Sequence, residues 1–348
     1  MTRIDDVARL AGVSTATVSR ALRGLPTVSA DTRRRVLAAA EQLEYAVSPS
    51  ASRLAGGRTG TVAVVVPRIT RWFFSTVVEA VEDVLYESGY DLLLCNLGGR
   101  EQLRQRVLRT ADLDKRADGV ILVATPLRDT ELTALGRLTL PGITISSGGV
   151  VPDWPWVRID DRAAARTATR HLLDLGHRRI AHISGDPDDE LAFTTHIDRR
   201  RGYEEELRAA GLEPDPSLDV ESQFTINGGT RAMEELLRRG DPPTAVFAAC
   251  DEMAMGAISA LRDAGLRVPQ DVSVIGIDDH DLAGVLGLTT IAQPAADQGT
   301  LAARILLDPI VGALATGPSG PAEAGAEQSV VLPTRLVVRY STAPPRAG

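Results

Sequence analysis

Apolar residues at the start of the chain recur at helical spacing and predict a short first helix. They share one stripe of that helix: Ile4, Val7, Ala8 and Ala11. Thr2 is predicted to cap the N-terminus of this helix. Asp5, three positions further on, can accept a hydrogen bond from the backbone of the capping residue. Gly12 supplies the backbone freedom that ends the helix. Because the apolar stripe needs a packing partner, further helices are expected close by.

A second helix is predicted almost at once, beginning after the capping residue Ser14. Its apolar side chains face inward: Val18, Ala21 and Leu22. Its outward face is polar or small: Thr15, Ala16, Ser19 and Arg20. Two short helices joined by a tight turn form a helix-turn-helix, a shape that fits the DNA major groove.

A third helix is predicted from about residue 30 to residue 43, with Ser29 in front of it as the capping residue. Its apolar positions can close a three-helix core: Val36, Leu37, Ala40 and Leu43. The alternative interpretation is a small helical bundle that has no connection with DNA.

The distribution of charge helps to choose between these interpretations. Residues 1–58 contain nine arginines and five acidic residues, a net charge of +4, whereas the whole chain carries −8 and the remainder therefore −12. Phosphate contacts supply most non-specific affinity for DNA, and a uniformly acidic surface would be repelled. The pattern predicts a polyanionic partner for the basic segment only. For the charge taken alone, a solvated charged face remains the alternative.

Residues 48–57 predict one short helix between the three predicted helices at the start of the chain, here called the head, and the rest of the chain. Ser48 is a capping residue, Pro49 suits the first helical position, and Gly56 follows the end. Isolated helices below roughly 12–15 residues are marginal in water, so this helix is expected to form conditionally. A flexible linker is the alternative when DNA is absent.

From residue 61 onward, short apolar runs alternate with helical stretches, which predicts parallel sheets with helices on both faces. The predicted strands of a first unit lie at 62–66, 91–95 and 119–123, with a helix at 76–88. After Asp160 the alternation of strands and helices begins again, with predicted strands at 179–183, 245–248 and 272–275. Residues 315–329 predict a mobile loop before a last strand at 330–338. Two similar βα subdomains can thus face each other across a ligand cleft.

Specific motifs follow one another along nearly the full chain. They are GVSTATVSRAL at 12–22, VSADTRRRVLAAAEQLEY at 28–45, LGHRRIA at 175–181, DEMAMGA at 251–257, VSVIGIDD at 272–279, LTTI at 288–291 and LPTRLVVR at 332–339. In this order they resemble the LacI/GalR family of bacterial transcriptional regulators. The resemblance implies an α/β fold with a three-helix helix-turn-helix head at 1–47, a hinge helix and linker at 48–60, and a periplasmic-binding-protein-like clamp with parallel sheets at 61–348.

The resemblance also implies a function, namely a ligand-responsive transcriptional regulator that binds a near-palindromic double-stranded DNA operator as a homodimer. Repression is the default, with activation as the alternative, and the effector can be an inducer or a corepressor. Leu54 is implied as the wedge that opens the central base step in the minor groove. The DNA-binding positions are Thr2, Ser14, Thr15, Ala16, Thr17, Ser19, Arg20, Ser29, Ala51 and Leu54.

The resemblance further implies a set of effector-binding positions in the cleft. Phe73 and Phe74 follow the first strand and Thr125 follows the fourth. The other matching positions are a charged arginine, an aromatic wall and a hydroxyl-binding carboxylate: Arg199, Phe224 and Asp278. Such a set suits a sugar or sugar derivative, because charged groups fix hydroxyls and rings cover the apolar sugar face. Taken alone, Phe74 or Phe224 is more often a core residue than part of a ligand-binding wall.

The sequence departs from the family pattern at positions that decide specificity. Arg71-Trp72 replaces a common Asn-Pro, Cys250 replaces an asparagine, and Ser146 stands where several sugar-binding members carry an acid. A thiol is a weaker donor and acceptor than an amide, and His196 or Trp72 is expected to compensate. An effector with an acidic or a planar apolar portion would fit this cleft.

Other classes of protein are less compatible with the sequence. It contains no GxSxG elbow, no phosphate-binding GxxxxGK[ST] motif and no metal-ligand spacing among its five histidines, so no enzyme, cofactor or metal is expected. Cys95 and Cys250 lie too far apart in sequence for a CxxC pair. A transport receptor would share the clamp but would need an export signal. With neither a signal peptide nor a membrane span, the cytoplasm is the expected location, and the absence of a leucine heptad favours a dimer.

Overall fold

The computed structural model describes residues 3–22, 27–45, 58–98, 101–107, 113–125, 127–146, 151–185, 195–316 and 328–346. The chain divides into two compact units, Met1–Gly60 and Thr61–Gly348. Thr2, Ala51 and Leu54 lie outside the described residues, as does the predicted helix at 48–57.

The first unit contains three helices in the described residues: α1 (Ile4–Ala11), α2 (Thr15–Leu22) and α3 (Ala30–Gln42). Val7, Val18 and Val36, one from each helix, are fully buried in their common core. The serine caps occur as predicted, because the hydroxyl of Ser14 accepts from the backbone of the second helix at 3.2 Å and that of Ser29 accepts from the third at 3.2 Å.

Two details of the first unit differ from the prediction. The capping residue of α1 is Arg3, whose backbone N–H donates to the carboxylate of Asp6 at 3.0 Å, so the pattern is shifted by one residue from Thr2 and Asp5. Leu37 is 49% exposed rather than in the core. It lies one residue after Val36, about 100° around the helix, and so falls outside the buried stripe.

The second unit is built on two six-stranded sheets. The elements around the first sheet are β1 (Thr61–Val66), α4 (Trp72–Glu87), β2 (Asp91–Asn96), α5 (Glu101–Val107), β3 (Gly119–Val123), α6 (Asp129–Leu135), β4 (Gly142–Ile145) and β5 (Trp156–Ile159). Most residues of β1 and β3 are fully buried, because helices cover both faces of the sheet. Helix α4 begins at Trp72, four residues earlier than predicted.

The elements around the second sheet are α7 (Asp161–Asp174), β6 (Ile180–Gly185), α8 (Thr195–Ala209), β7 (Asp219–Ser222), α9 (Ile226–Arg238), β8 (Ala245–Ala248), α10 (Asp251–Asp263), β9 (Ser273–Asp278), α11 (Asp281–Leu286) and β10 (Thr289–Ala292). The last elements are α12 (Ala295–Thr316), β11 (Val330–Leu332) and β12 (Arg335–Val337). The sheet orders are β11-β5-β4-β3-β1-β2 and β12-β10-β9-β8-β6-β7, and β12 is antiparallel to β10. Helix α12 returns to the first sheet, where it packs against α4 and β4.

The segment predicted as one strand at 330–338 is in fact two strands that belong to different sheets. Strand β11 pairs with β5 in the first sheet, and β12 pairs with β10 in the second. Pro333, which has no backbone N–H, and Thr334 lie between them and interrupt the ladder. Within the described residues the chain passes between the sheets here, after β5 and after β10. The two halves of the clamp are therefore joined by several short connections rather than by one linker.

Candidate ligand and nucleic-acid sites

A cavity lies between the carboxyl ends of the two sheets, where open parallel sheets bind their ligands. From the first sheet it is lined by Arg68, Arg71, Trp72, Phe73, Phe74, Ala124 and Ser146. The opposite wall and the connection between the halves contribute Asp161, Thr195, Arg199, Gln223, Phe224, Thr225, Cys250, Glu252, Asp278 and Gln293. The lining combines arginines and carboxyl groups with aromatic rings.

The structure brings most of the predicted effector positions together. Those in the lining are Phe73, Phe74, Ser146, Arg199, Phe224, Cys250 and Asp278. Thr125 does not line the cavity, since its hydroxyl is buried and donates to the carbonyl of Val123 at 3.0 Å, and it follows the third strand rather than the fourth. His196 is also buried beside Gly185, behind the lining.

Arg199 is held rigidly at the bottom of the cavity. Its Nε and Nη2 lie 2.8 Å from Oδ1 of Asp161, and its Nη1 donates to the carbonyl oxygen of Ala249. Burial raises the pKa of Asp161, while the guanidinium lowers it. Because α7 and α8 supply the two partners, the ion pair fixes the orientation of the guanidinium before any ligand binds.

Asp278 ends strand β9 close to this ion pair and is almost fully buried. Gln293 Nε2 donates to its Oδ1 at 2.5 Å. Burial and the neighbouring Asp251 carboxyl group raise the pKa of Asp278 to about 8, and Arg199 opposes the shift. A carboxyl group that keeps its proton at pH 7 can both donate and accept a hydrogen bond, as a ligand hydroxyl does.

A chain of hydrogen bonds runs from Asp278 to the opposite wall. Gln293 accepts at its Oε1 from Gln298 Nε2 at 3.2 Å, and Gln298 accepts at its Oε1 from the hydroxyl of Ser146 at 2.7 Å. Gln298 is fully buried in the first turn of α12. Because these amides follow β10, they join the two walls through one of the connections between the sheets.

Two further contacts cross between the walls. Arg71 Nη1 lies 3.6 Å from Oε2 of Glu252, and the rings of Trp72 and His280 have centroids 5.2 Å apart. Arg71 and Trp72 precede and begin α4 on the first sheet, whereas Glu252 and His280 belong to elements of the second.

The sequence interpretation missed several lining residues. Asp161 follows the strand ending at Ile159, and Gln293 follows the strand at 289–292. Both positions could have been found, since residues just after the carboxyl ends of parallel strands lie at the ligand edge. Arg68 carried the same signal, since it follows the end of β1 by two residues, whereas Glu252 lies further from the end of β8 and inside α10.

The positions predicted to read DNA that the structure describes lie on helices α1–α3 or at their ends, and most of them are exposed. Thr15, Ala16 and Arg20 are exposed at the start and along the outer face of α2, and Ser19 is half-buried. The hydroxyls of Ser14 and Thr17 lie 2.9 Å apart and fix the first turn of that helix. Ser29 is exposed at the start of α3, beside its cap.

A helix-turn-helix head and a two-sheet clamp with a polar and aromatic cavity define a ligand-responsive DNA-binding regulator. The family described as "Bacterial regulatory proteins, lacI family" matches residues 3–48, and "Periplasmic binding protein-like domain" matches residues 169–342. The ribose operon repressor of Escherichia coli (strain K12) is 38% identical over 310 residues, covering 88% of this chain and 92% of the relative. Catabolite control protein A of Priestia megaterium is 35% identical over 305 residues, covering 87% and 91%.

Solved structures agree with these relatives. The lac repressor dimer bound to operator and the anti-inducer ONPF has a TM-score of 0.81 at 27% identity, covering 98% of this chain and 99% of that chain. The transcriptional regulator CelR–cellobiose complex has a TM-score of 0.70 at 34% identity, covering 98% and 100%. The chain belongs to the lacI family of bacterial regulatory proteins, and it is a ligand-responsive, DNA-binding transcriptional repressor. The predicted resemblance and fold class are thereby confirmed.

Proposed function

We propose that this repressor binds a near-palindromic operator as a homodimer and that a sugar or sugar derivative in the cavity controls its affinity for DNA. The observation that carries the effector proposal is the arrangement of Arg199 and Asp278 opposite the rings of Phe73 and Phe74. The charged guanidinium and the carboxyl group fix hydroxyl groups through hydrogen bonds, and aromatic faces cover the apolar side of a sugar ring. The names of two similar proteins point the same way, since one structure is a cellobiose complex and one relative is a ribose operon repressor.

The effector acts by changing the relation between the two sheets. A ligand held by Arg199 and Asp278 on one wall and by the phenylalanines on the other favours a closed clamp. The two halves of the clamp move about the short connections between the sheets. The hydrogen-bond chain from Asp278 through Gln293 and Gln298 to Ser146 couples ligand binding at Asp278 to the opposite wall. Linkage then requires that operator DNA change the affinity for the effector by the same factor.

The operator is read by the exposed face of α2. Thr15 and Ala16 meet base edges in the major groove, and Arg20 and Ser29 add contacts along the DNA. The remaining proposed DNA contacts are Thr2, Ser14, Thr17, Ser19, Ala51 and Leu54. We propose a cytoplasmic location, because the operator is there. We propose neither a membrane partner nor a cofactor. No helix in the described ranges is long and apolar enough to cross a bilayer.

The test separates effector binding from operator binding. A thermal-shift screen of sugars and sugar acids with the full chain identifies the effector, and operator affinity is then titrated against it. Asp278→Ala should abolish the response to the effector while operator affinity without effector stays near that of the wild type. Asp263→Ala, which removes an exposed carboxylate from the end of α10, is the matched control and should respond normally. If the operator affinity of Asp278→Ala depends on effector concentration as that of the wild type does, this aspartate is excluded as a ligand contact.

A further inference from the structure

We propose that four side chains, Arg71, Trp72, Glu252 and His280, form a gate that closes the cavity and limits the effector to the size of a monosaccharide. The part of this proposal that concerns effector size rests on the proposed function, whereas closure by the gate does not. Each contact in the gate joins one sheet to the other.

The first contact centres on the carboxylate of Glu252. Its Oε2 lies 3.6 Å from Nη1 of Arg71. Burial raises the pKa of Glu252, and Arg71 and the backbone N–H of Trp72 oppose that shift. Trp72 is the first residue of α4, whose initial N–H groups have no partner within the helix, and Arg71 provides no side-chain cap. A carboxylate from α10 therefore lies at the N-terminus of a helix of the opposite half of the clamp, where the helix dipole favours negative charge.

The second contact is aromatic. The planes of Trp72 and His280 are inclined by 30° with their centroids 5.2 Å apart, a separation at which aromatic rings attract. His280 is the capping residue of α11, and its Nδ1 accepts from the backbone N–H of Leu282 at 3.0 Å. Its own backbone N–H donates to Asp251 at 2.9 Å, so the imidazole is held on the side of the second sheet. Burial lowers the pKa of His280, which keeps the ring neutral at pH 7.

Exposure shows that these side chains lie above the polar bottom of the cavity. The side chains of Arg71 and Glu252 are 29% and 14% exposed, whereas that of Arg199 is 5% exposed. The cavity, whose lining includes Arg71, Trp72 and Glu252, has a volume of about 170 Å³, which is below the roughly 300–1,000 Å³ typical of sites for drug-sized ligands. A compact ligand fits under the gate, and a second sugar ring would have to separate its contacts.

The side chains of Arg71 and Trp72 supply the first sheet's part of the gate, namely a cation for Glu252 and a ring for His280. The gate therefore makes Arg71 and Trp72 specificity-determining residues for the effector.

The first experiment measures closure without any ligand. Hydrogen–deuterium exchange is followed on the full chain for peptides covering the first turn of α4 and the first turn of α10. In the variant Arg71→Gln/Glu252→Gln we expect exchange in both turns to accelerate by about fivefold, the factor that corresponds to about 1 kcal/mol. Arg162→Gln/Glu205→Gln removes an ion pair between α7 and α8, both on the second sheet, and should leave both turns unchanged. Unchanged exchange in the gate variant would overturn the gate.

The second experiment measures the size limit. Monosaccharides and the disaccharides built from them, including glucose and cellobiose, are titrated into the wild type, Trp72→Leu and the Arg162→Gln/Glu205→Gln control. The wild type and the control should prefer the monosaccharide by at least about tenfold, and Trp72→Leu should narrow that ratio. Equal affinity of the wild type for both sizes would overturn the size limit. If no sugar of either size binds, the sugar-effector proposal fails, and the exchange result alone decides the gate.

Discussion

The ion pair between Arg199 and Asp161 allows a quantitative prediction, because Arg199 is buried, the side chain of Asp161 is only 15% exposed, and the polar contacts of the guanidinium are defined. Arg199→Met removes the hydrogen bond from Nε to Oδ1 of Asp161 and the ion-pair contact of Nη2 with the same oxygen, both at 2.8 Å. It also removes the hydrogen bond from Nη1 to the carbonyl oxygen of Ala249. It also leaves a buried carboxylate without its cation. Breaking one side of a buried pair costs about 3–5 kcal/mol of unfolding free energy. Asp161→Asn should cost about as much, since it leaves the more deeply buried guanidinium, which cannot lose its charge, without its anion.

Thermal unfolding of the full chain measures the loss. With about 2–4 °C per kcal/mol for a unit of this size, Arg199→Met should lower the Tm of the clamp by about 6–20 °C. Arg162→Met, which removes an exposed arginine from the neighbouring helix, should leave Tm nearly unchanged. The effector response should be lost in Arg199→Met as well. A Tm within about 2 °C of the wild type would refute the argument that the pair is desolvated.

The dependence on pH gives an independent check of the same argument. Burial raises the pKa of Asp161 in the folded protein, and loss of Arg199 should raise it further. A carboxyl group with a raised pKa binds a proton in the folded state that the unfolded state has released, so stability falls as pH rises toward the folded pKa. The deficit of Arg199→Met should therefore be smaller at pH 5 than at pH 8. A deficit that grows as the pH falls would contradict this assignment.

Three further predictions concern the head, the hinge and the packing of the clamp. Exchanging Thr15 and Ala16 for other residues should change the preferred operator, because a specific base contact is worth about 1–3 kcal/mol. The measurement is selection from randomised operators. An unchanged consensus sequence would show that these two residues do not contact the bases. Leu54→Ala should weaken specific operator binding while Tm stays near that of the wild type, and a destabilised variant that binds operator normally would contradict the wedge role. Gly256→Ala should destabilise the clamp by at least about 1–3 kcal/mol in thermal or denaturant unfolding. Its Cβ would lie 2.0 Å from a carbonyl oxygen of α9, whereas Gly284→Ala meets nothing within 4 Å and should be tolerated.

Local pattern was sufficient for much of the architecture. The helical stripes of the head predicted α1, α2 and α3, and Gly12, in the left-handed region with φ +65°, ends α1 as expected. Continuous apolar runs predicted β1 and β3, since a strand covered on both faces has no polar side. These features depend on neighbours a few residues apart, so the sequence determines them directly.

The candidate site was only partly visible in the sequence. Arg199 and Asp278 were placed in the cavity by motif and by position at a strand end, and the structure does bring them together. Thr125 was selected by the same rule, but its hydroxyl turns to its own backbone. Which way a short polar side chain points depends on the competing partners around it, and those partners come from other parts of the fold.

What the sequence determined by itself was the class of each element, the basic head and the family pattern. Only the tertiary structure decided that residues 330–338 divide between two sheets and that Glu252 meets Arg71 across the cavity. The physical reason is that both facts depend on distances between segments far apart in sequence. Helix and strand periodicity reports which face of an element is buried, but it does not report which partner buries that face.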